Sequence, residues 1–188
     1  MQAITFPTTP LPGNPPLISS EGLFEVVDGQ AVEVPTTSFL ANLIANRLMH
    51  KLSGFLDYTE LGFAVAECLF KLSLPVDRQR RPDVAFVSAK RWPKENAMPL
   101  TGNSLPVTPD LLVEVVSPTD LVDEVYEKMY EYFRAGAEQV WIVHPKQGTI
   151  ELFDSPMSSR WLAREQVLEG IPFLPGFRLP LAEIFEKA

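Results

Sequence analysis

Asp83, Glu114 and Lys128 are the residues of this 188-residue chain whose types and surroundings could do chemistry together. Asp83 follows Pro82 and precedes Val84-Ala85-Phe86-Val87, and Glu114 is flanked by Val113 and Val115. Each acid sits where a strand would bury it, and a buried carboxylate needs a cation, a donor or a proton to offset its desolvation. Either acid alone is explained by an ion pair or by backbone N–H groups at a strand end. On neighbouring strands, the two together form an oxygen-rich site for a hard divalent cation such as Mg2+, which keeps several waters and needs only one or two protein carboxylates. Such a cation lowers the pKa of a bound water and neutralises charge on a phosphate.

Lys128 falls at the edge of a helix face built from Leu121, Val122, Val125, Tyr126, Met129, Tyr132 and Phe133. From there its ammonium can reach back over the strand end, to orient a water or stabilise a phosphorane-like transition state. Taken alone, it is also explained as a snorkelling side chain paired with Glu124 at i−4.

Other groups offer less. His50 and His144 are the only histidines and lack metal-like spacing, which argues against zinc. No nucleophile-elbow serine and no glycine-rich phosphate loop occurs. The single cysteine, Cys68, lies in an apolar stretch and reads as a small core residue. Trp92 stands among Lys90, Arg91 and Lys94, where it could stack on a nucleic acid or simply anchor a loop. The net charge of −8 disfavours a generic nucleic-acid-coating protein. Yet seven bases (Lys71, Arg78, Arg80, Arg81, Lys90, Arg91 and Lys94) cluster where only Asp77 and Asp83 are acidic, and this stretch could attract a phosphate backbone locally.

The elements that must position these groups follow from periodicity and punctuation. Residues 1–20, with five prolines, read as an irregular arm ahead of one domain over 21–188. Phe24 to Val34 around Asp28-Gly29 reads as a hairpin. Thr36 to Leu52 reads as a helix capped by Thr37 or Ser38 and stopped by Gly54. Strands follow over Phe63–Leu74 and Pro82–Ser88, then a long loop over Ala89–Pro109. Asp110–Val116 has the doubly apolar pattern of a central strand. Leu121–Ala135 is a helix stopped at Gly136, and Gln139–His144 is the next strand. Thr149–Phe153 pairs with Trp161–Val167, and Leu181–Lys187 is a short final helix. The order is that of an α/β fold around one mixed sheet.

The run Arg80-Arg81-Pro82-Asp83-Val84-Ala85-Phe86-Val87, followed by Pro109-Asp110-Leu111-Leu112-Val113-Glu114-Val115-Val116-Ser117-Pro118, resembles the Uma-two family. Lys128 to Tyr132, Ala135-Gly136-Ala137 and Val140-Trp141-Ile142-Val143 continue the resemblance, which covers roughly Phe24 to Phe153. These bacterial domains are similar in fold to PD-(D/E)XK restriction endonucleases. The resemblance implies a restriction-endonuclease-like mixed sheet flanked by helices, with added N-terminal and C-terminal β-hairpins. It implies that Asp83 and Glu114 are metal ligands. The lysine usual two residues after the second acid is replaced by Val116, and the resemblance shifts that role to Lys128. A further superfamily glutamate has Glu33 as its only close candidate, and the histidine often found near the start of the first helix is absent.

The expectation is therefore a Mg2+- or Mn2+-dependent DNA endonuclease, acting as a homodimer because two-fold pairing brings one site to each strand. Two other readings stay open: a nuclease-fold interaction module without activity, and a metal hydrolase of a small phosphoester. No segment approaches the roughly 18 apolar residues of a membrane span. The N-terminus lacks a signal-peptide pattern, so a cytoplasmic location is expected.

Overall fold

The computed structural model describes residues 23–93, 95–96 and 104–186. The N-terminal arm, Lys94 and part of the long loop lie outside the described residues.

Strands β1 (Phe24–Val27) and β2 (Gln30–Glu33) form the expected hairpin. Asp28 and Gly29 both take positive φ, 52° and 78°, at its tip. This is what a two-residue turn needs to match strand twist, and why Asp-Gly serves there. The hairpin is half of a four-stranded sheet of order β2-β1-β5-β4, completed by β4 (Phe70–Lys71) and β5 (Gln79–Arg80).

The main sheet has six strands, β10-β9-β8-β7-β6-β3. They are β3 (Gly62–Ala66), β6 (Val84–Ser88), β7 (Leu111–Val115), β8 (Gln139–His144), β9 (Thr149–Ser155) and β10 (Ser158–Ala163). Only β7 and β8 run parallel, joined by helix α2 (Val122–Arg134); the other pairs are antiparallel. A parallel pair needs such a crossover, so the α2 sequence is placed on one face of the sheet. The C-terminal hairpin is fused to the sheet edge as β9 and β10. A separate ladder of β11 (Val167–Glu169) and β12 (Arg178–Pro180) follows, with the short helix α3 (Ala182–Phe185).

Helix α1 (Phe39–Leu56) covers the opposite face. Ser38 caps it by accepting the Ala41 N–H at 3.3 Å. The helix passes through Gly54, which was expected to stop it, and ends at Leu56. A helical glycine costs about 1 kcal/mol, whereas burying a leucine contributes about 1.5–3 kcal/mol. Leu52 and Leu56 are both buried, so continuation wins. Strand alternation divides the core in two. Val84, Phe86, Leu111, Val113 and Val115 face α1, while Ala85, Val87, Leu112, Val140 and Ile142 face α2. Among the described residues no helix is long and apolar enough to cross a membrane.

Candidate functional site

The alternation that sorts the core also sorts the acids. Glu114 lies two residues beyond Leu112, and Asp83 two before Ala85, so both belong to the α2 face. The β6–β7 ladder pairs Val84 with Val113 and Ala85 with Leu112. One step further along the same register brings Asp83 opposite Glu114. Asp83 Oδ2 accepts the Val115 N–H at 2.6 Å. Glu114 Oε1 accepts the hydroxyl of Tyr132, on α2, at 2.5 Å. One oxygen of each carboxylate is thus tied down. Among the described residues no hydrogen bond reaches Asp83 Oδ1 or Glu114 Oε2, and both residues line a cleft of about 370 Å3.

Lys128 joins them from α2. Its Nζ lies 3.9 Å from Glu114 Oε2 and donates to Glu25 Oε1 at 2.9 Å. The pairing with Glu124 does not form; Lys128 turns inward to Glu25 and Glu114. Glu25, on β1, is the member that sequence reasoning missed. It is buried, and its Oε1 also accepts the Arg81 N–H at 2.9 Å, while Oε2 accepts Arg80 Nη1 at 2.8 Å. Arg80 Nε in turn donates to Glu131 Oε2 at 2.7 Å, and Arg78 lies 3.1 Å from Glu131 Oε1. Glu25 is an acid between Phe24 and Val26 in a strand. That is the same signal that singled out Glu114, and it could have been found the same way. Glu33 is exposed on β2 and lines the same cleft. Glu25, rather than Glu33, is in contact with Lys128.

Burial pushes the Asp83 carboxyl up to about 6, and the nearby Asp120 and Glu67 charges add to this against the Val115 N–H and Lys128. Burial likewise pushes Glu114 up to about 7, with Asp83 and Glu25 repelling its charge and Lys128 only partly offsetting them. Glu25 moves the other way: burial is outweighed by Lys128, the Arg81 N–H and Arg80, and its pKa is lowered. The cluster thus holds three carboxylates around one lysine, with Arg80 shared between Glu25 and Glu131. Two cleft-lining carboxylates, each with one oxygen free of hydrogen bonds among the described residues and short of positive charge, fit a hard divalent cation. Among the described residues no group of three or more His, Cys, Asp or Glu is arranged to hold a metal, so the donors on offer are the two carboxylates.

The basic stretch is used differently from expectation. Arg80 is buried between Glu25 and Glu131, and Arg78 pairs with Asp28 and Glu131. Arg81 reaches the Phe24 and Glu67 carbonyls, and Lys71 lies 3.7 Å from Asp77. Arg91 bonds Asp110 and the Thr108 and Gly136 carbonyls, pinning the start of the long loop. These bases cement the fold, and of the six that lie among the described residues Lys90 alone is exposed without such a partner. Trp92 packs partly buried against the α2-side core, as a loop anchor. Cys68 packs there too, with burial pushing its thiol pKa up.

The family model described as "Putative restriction endonuclease", Uma2, matches residues 14–182. Among solved structures, a chain described as a "putative nuclease" of the DUF820 group from Anabaena variabilis superposes with a TM-score of 0.75. It is 17% identical, and the match covers 88% of this chain and 91% of that one, which establishes the likeness of fold. No curated protein matches. With a mixed sheet flanked by helices, the Asp83–Glu114 pair at adjacent strand ends and a family match over most of its length, this chain belongs to the Uma2 family of nuclease-like proteins.

Proposed function

We propose that the chain is a metal-dependent phosphodiesterase that cuts DNA, with Asp83 and Glu114 as the metal-binding carboxylates and Lys128 as the cation facing the reacting phosphate. One observation carries this reading. Two carboxylates on paired strands line one cleft, each fixed by one oxygen and with the other free of hydrogen bonds among the described residues, and share a neighbouring lysine. Bound there, Mg2+ or Mn2+ would supply Lewis acidity and a nucleophilic water at neutral pH. The chain's own residues set the stage. The Val115 N–H and the Tyr132 hydroxyl orient the carboxylates, and Glu25 positions the Lys128 ammonium beside Glu114. There, Lys128 can stabilise negative charge developing on a phosphoryl oxygen.

The family description supports DNA as the substrate. A homodimer remains part of the proposal, since two-fold pairing would offer one cleft to each strand; light scattering in solution tests it. The lone cysteine suits a reducing cytoplasm.

Nicking of supercoiled plasmid with Mg2+ or Mn2+ tests the reading. Native protein cuts, and Asp83→Ala, Glu114→Ala and Lys128→Ala each lose at least about a hundredfold in rate with the fold intact. Equal cutting by native protein and variants refutes it. A second reading, hydrolysis of a small phosphoester, is favoured by the acid-rich cleft wall and the internal use of the basic stretch. Turnover of bis(p-nitrophenyl) phosphate without plasmid nicking would select it.

A further inference from the structure

Beside the carboxylate cleft lies a second cavity of about 400 Å3, bounded by Leu40 on α1, Val122 and Tyr126 on α2, and Pro118, His144 and Pro145 at the strand ends. Asp120 and Val125 line both, so the cavity and the cleft share a wall. Its size is that of small-molecule sites, roughly 300–1,000 Å3. The walls are held in place. The Ser38 N–H donates to Ser117 Oγ at 3.1 Å, tying the start of α1 to the turn after β7. Trp161 stacks on His144, with ring centroids 5.0 Å apart. Lys146, at the rim, is exposed and has no ion-pair partner among the described residues. That sets it apart from Lys128, Arg78 and Arg80 of the first cleft, which are all held by carboxylates.

We propose that this cavity receives a nucleobase of the strand whose phosphate enters the Asp83–Glu114 cleft, with Lys146 facing the neighbouring phosphate. The inference rests on the phosphodiesterase reading. A nucleotide joins a charged phosphate to an apolar, planar base. This molecule places a cleft for a cation and phosphate against an apolar cavity, with an unpaired ammonium at its rim. A simple anion makes no use of the apolar walls, and a purely apolar ligand makes no use of Lys146 or of the adjoining carboxylates. A base stacked inside a duplex cannot enter such a cavity. The substrate strand is therefore single-stranded or locally unstacked where it is cut.

The test is NMR of metal-free native protein titrated with thymidine 5′-monophosphate and deoxyadenosine 5′-monophosphate. Deoxyribose 5-phosphate and inorganic phosphate serve as base-free controls. The nucleotides are expected to give saturable shifts at the Val122 and Gln147 amides and the Trp161 indole, and the controls none. Val122 is 67% exposed at the cavity mouth, so Val122→Trp fills the cavity without disturbing the core, and it weakens binding about tenfold or more. Lys146→Glu, also at an exposed position, weakens binding of oligothymidylate more than that of the mononucleotide. The proposal is overturned by equal response to deoxyribose 5-phosphate, by absence of saturable shifts, or by indifference to Val122→Trp. Shifts that depend on protein concentration alone would place a second copy in the cavity and also overturn it. Plasmid nicking is scored in parallel. Cleavage of single-stranded oligothymidylate is scored beside it. Cutting without base binding overturns the cavity assignment alone; base binding with neither plasmid nor oligothymidylate cut keeps the nucleobase site and removes the DNA phosphodiesterase reading.

Discussion

Replacing Glu114 by glutamine separates what this side chain does for the cleft from what it does to stability. The amide is nearly isosteric, and its oxygen can still accept the Tyr132 hydroxyl, so no cavity forms. The charge is what changes. In the folded protein the Glu114 carboxyl is pushed from its ordinary 4.5 to about 7. A raised carboxyl keeps its proton in the native state while the unfolded chain releases it. Stability is therefore fully present below about 4.5, falls as pH rises toward about 7, and levels off above that. The size of the displacement corresponds to up to about 3 kcal/mol lost by pH 8 in metal-free protein. Glu114→Gln removes this loss. By urea unfolding in EDTA, the variant should match the native protein near pH 4.5 and exceed it by about 1–3 kcal/mol at pH 8. Asp83, pushed up to about 6, leaves a residual slope of the same sign in the variant. Adding Mn2+ should reverse the order, because only the native protein gains stability from a ligand bound to the folded state. A variant less stable than native protein at pH 8 in EDTA, or an unchanged native–variant difference across this pH range, refutes the reasoning.

Arg80→Met should destabilise the protein by about 3–5 kcal/mol in urea unfolding, because it leaves the buried Glu25 and Glu131 charges without their shared partner. A loss under about 1 kcal/mol would show that the network is solvated. Gly62→Ala should unfold at markedly lower urea, because an added Cβ would lie 2.1 Å from the Val87 carbonyl oxygen across the β3–β6 pair. An unchanged midpoint would mean that β3 is not held against β6 in this register. Cys68 should react slowly with iodoacetamide at pH 8 in the folded state and at the ordinary thiol rate in urea, since burial raises its pKa. Equal rates would place it at the surface.

That Asp83 and Glu114 lie in strands and Lys128 at the edge of a helix face was legible from local pattern, and the family resemblance picked the three out together. An acid in an apolar strand and a lysine at the edge of an amphipathic helix face are local signals. Glu25 carried the same signal, but its short hairpin gave no sign that β1 would be closed against β5. β5 has two residues, too few for any period to show, and the pairing of Val26 with Gln79 that brings Arg80 to Glu25 is a tertiary fact. The basic stretch misled for the same reason. Sequence shows where arginines are dense and not which carboxylates the chain folds onto them. The outer end of the α2 face was also overread. Leu121 and Val122 continue its apolar stripe, yet they are 62% and 67% exposed. Gly54 shows the limit of local rules in the other direction, since the burial of Leu56 outweighs a residue that ordinarily ends helices.

The most direct test of the central claim, that Asp83 and Glu114 form a divalent-cation centre, is Mn2+ binding followed by electron paramagnetic resonance. Native protein should take up Mn2+ saturably, with Mg2+ competing, while the Asp83→Asn, Glu114→Gln double variant, folded by circular dichroism, should leave the Mn2+ signal that of the free ion. Uptake that is equal in the two proteins, or absent from the native one with and without a DNA oligonucleotide, would contradict the account.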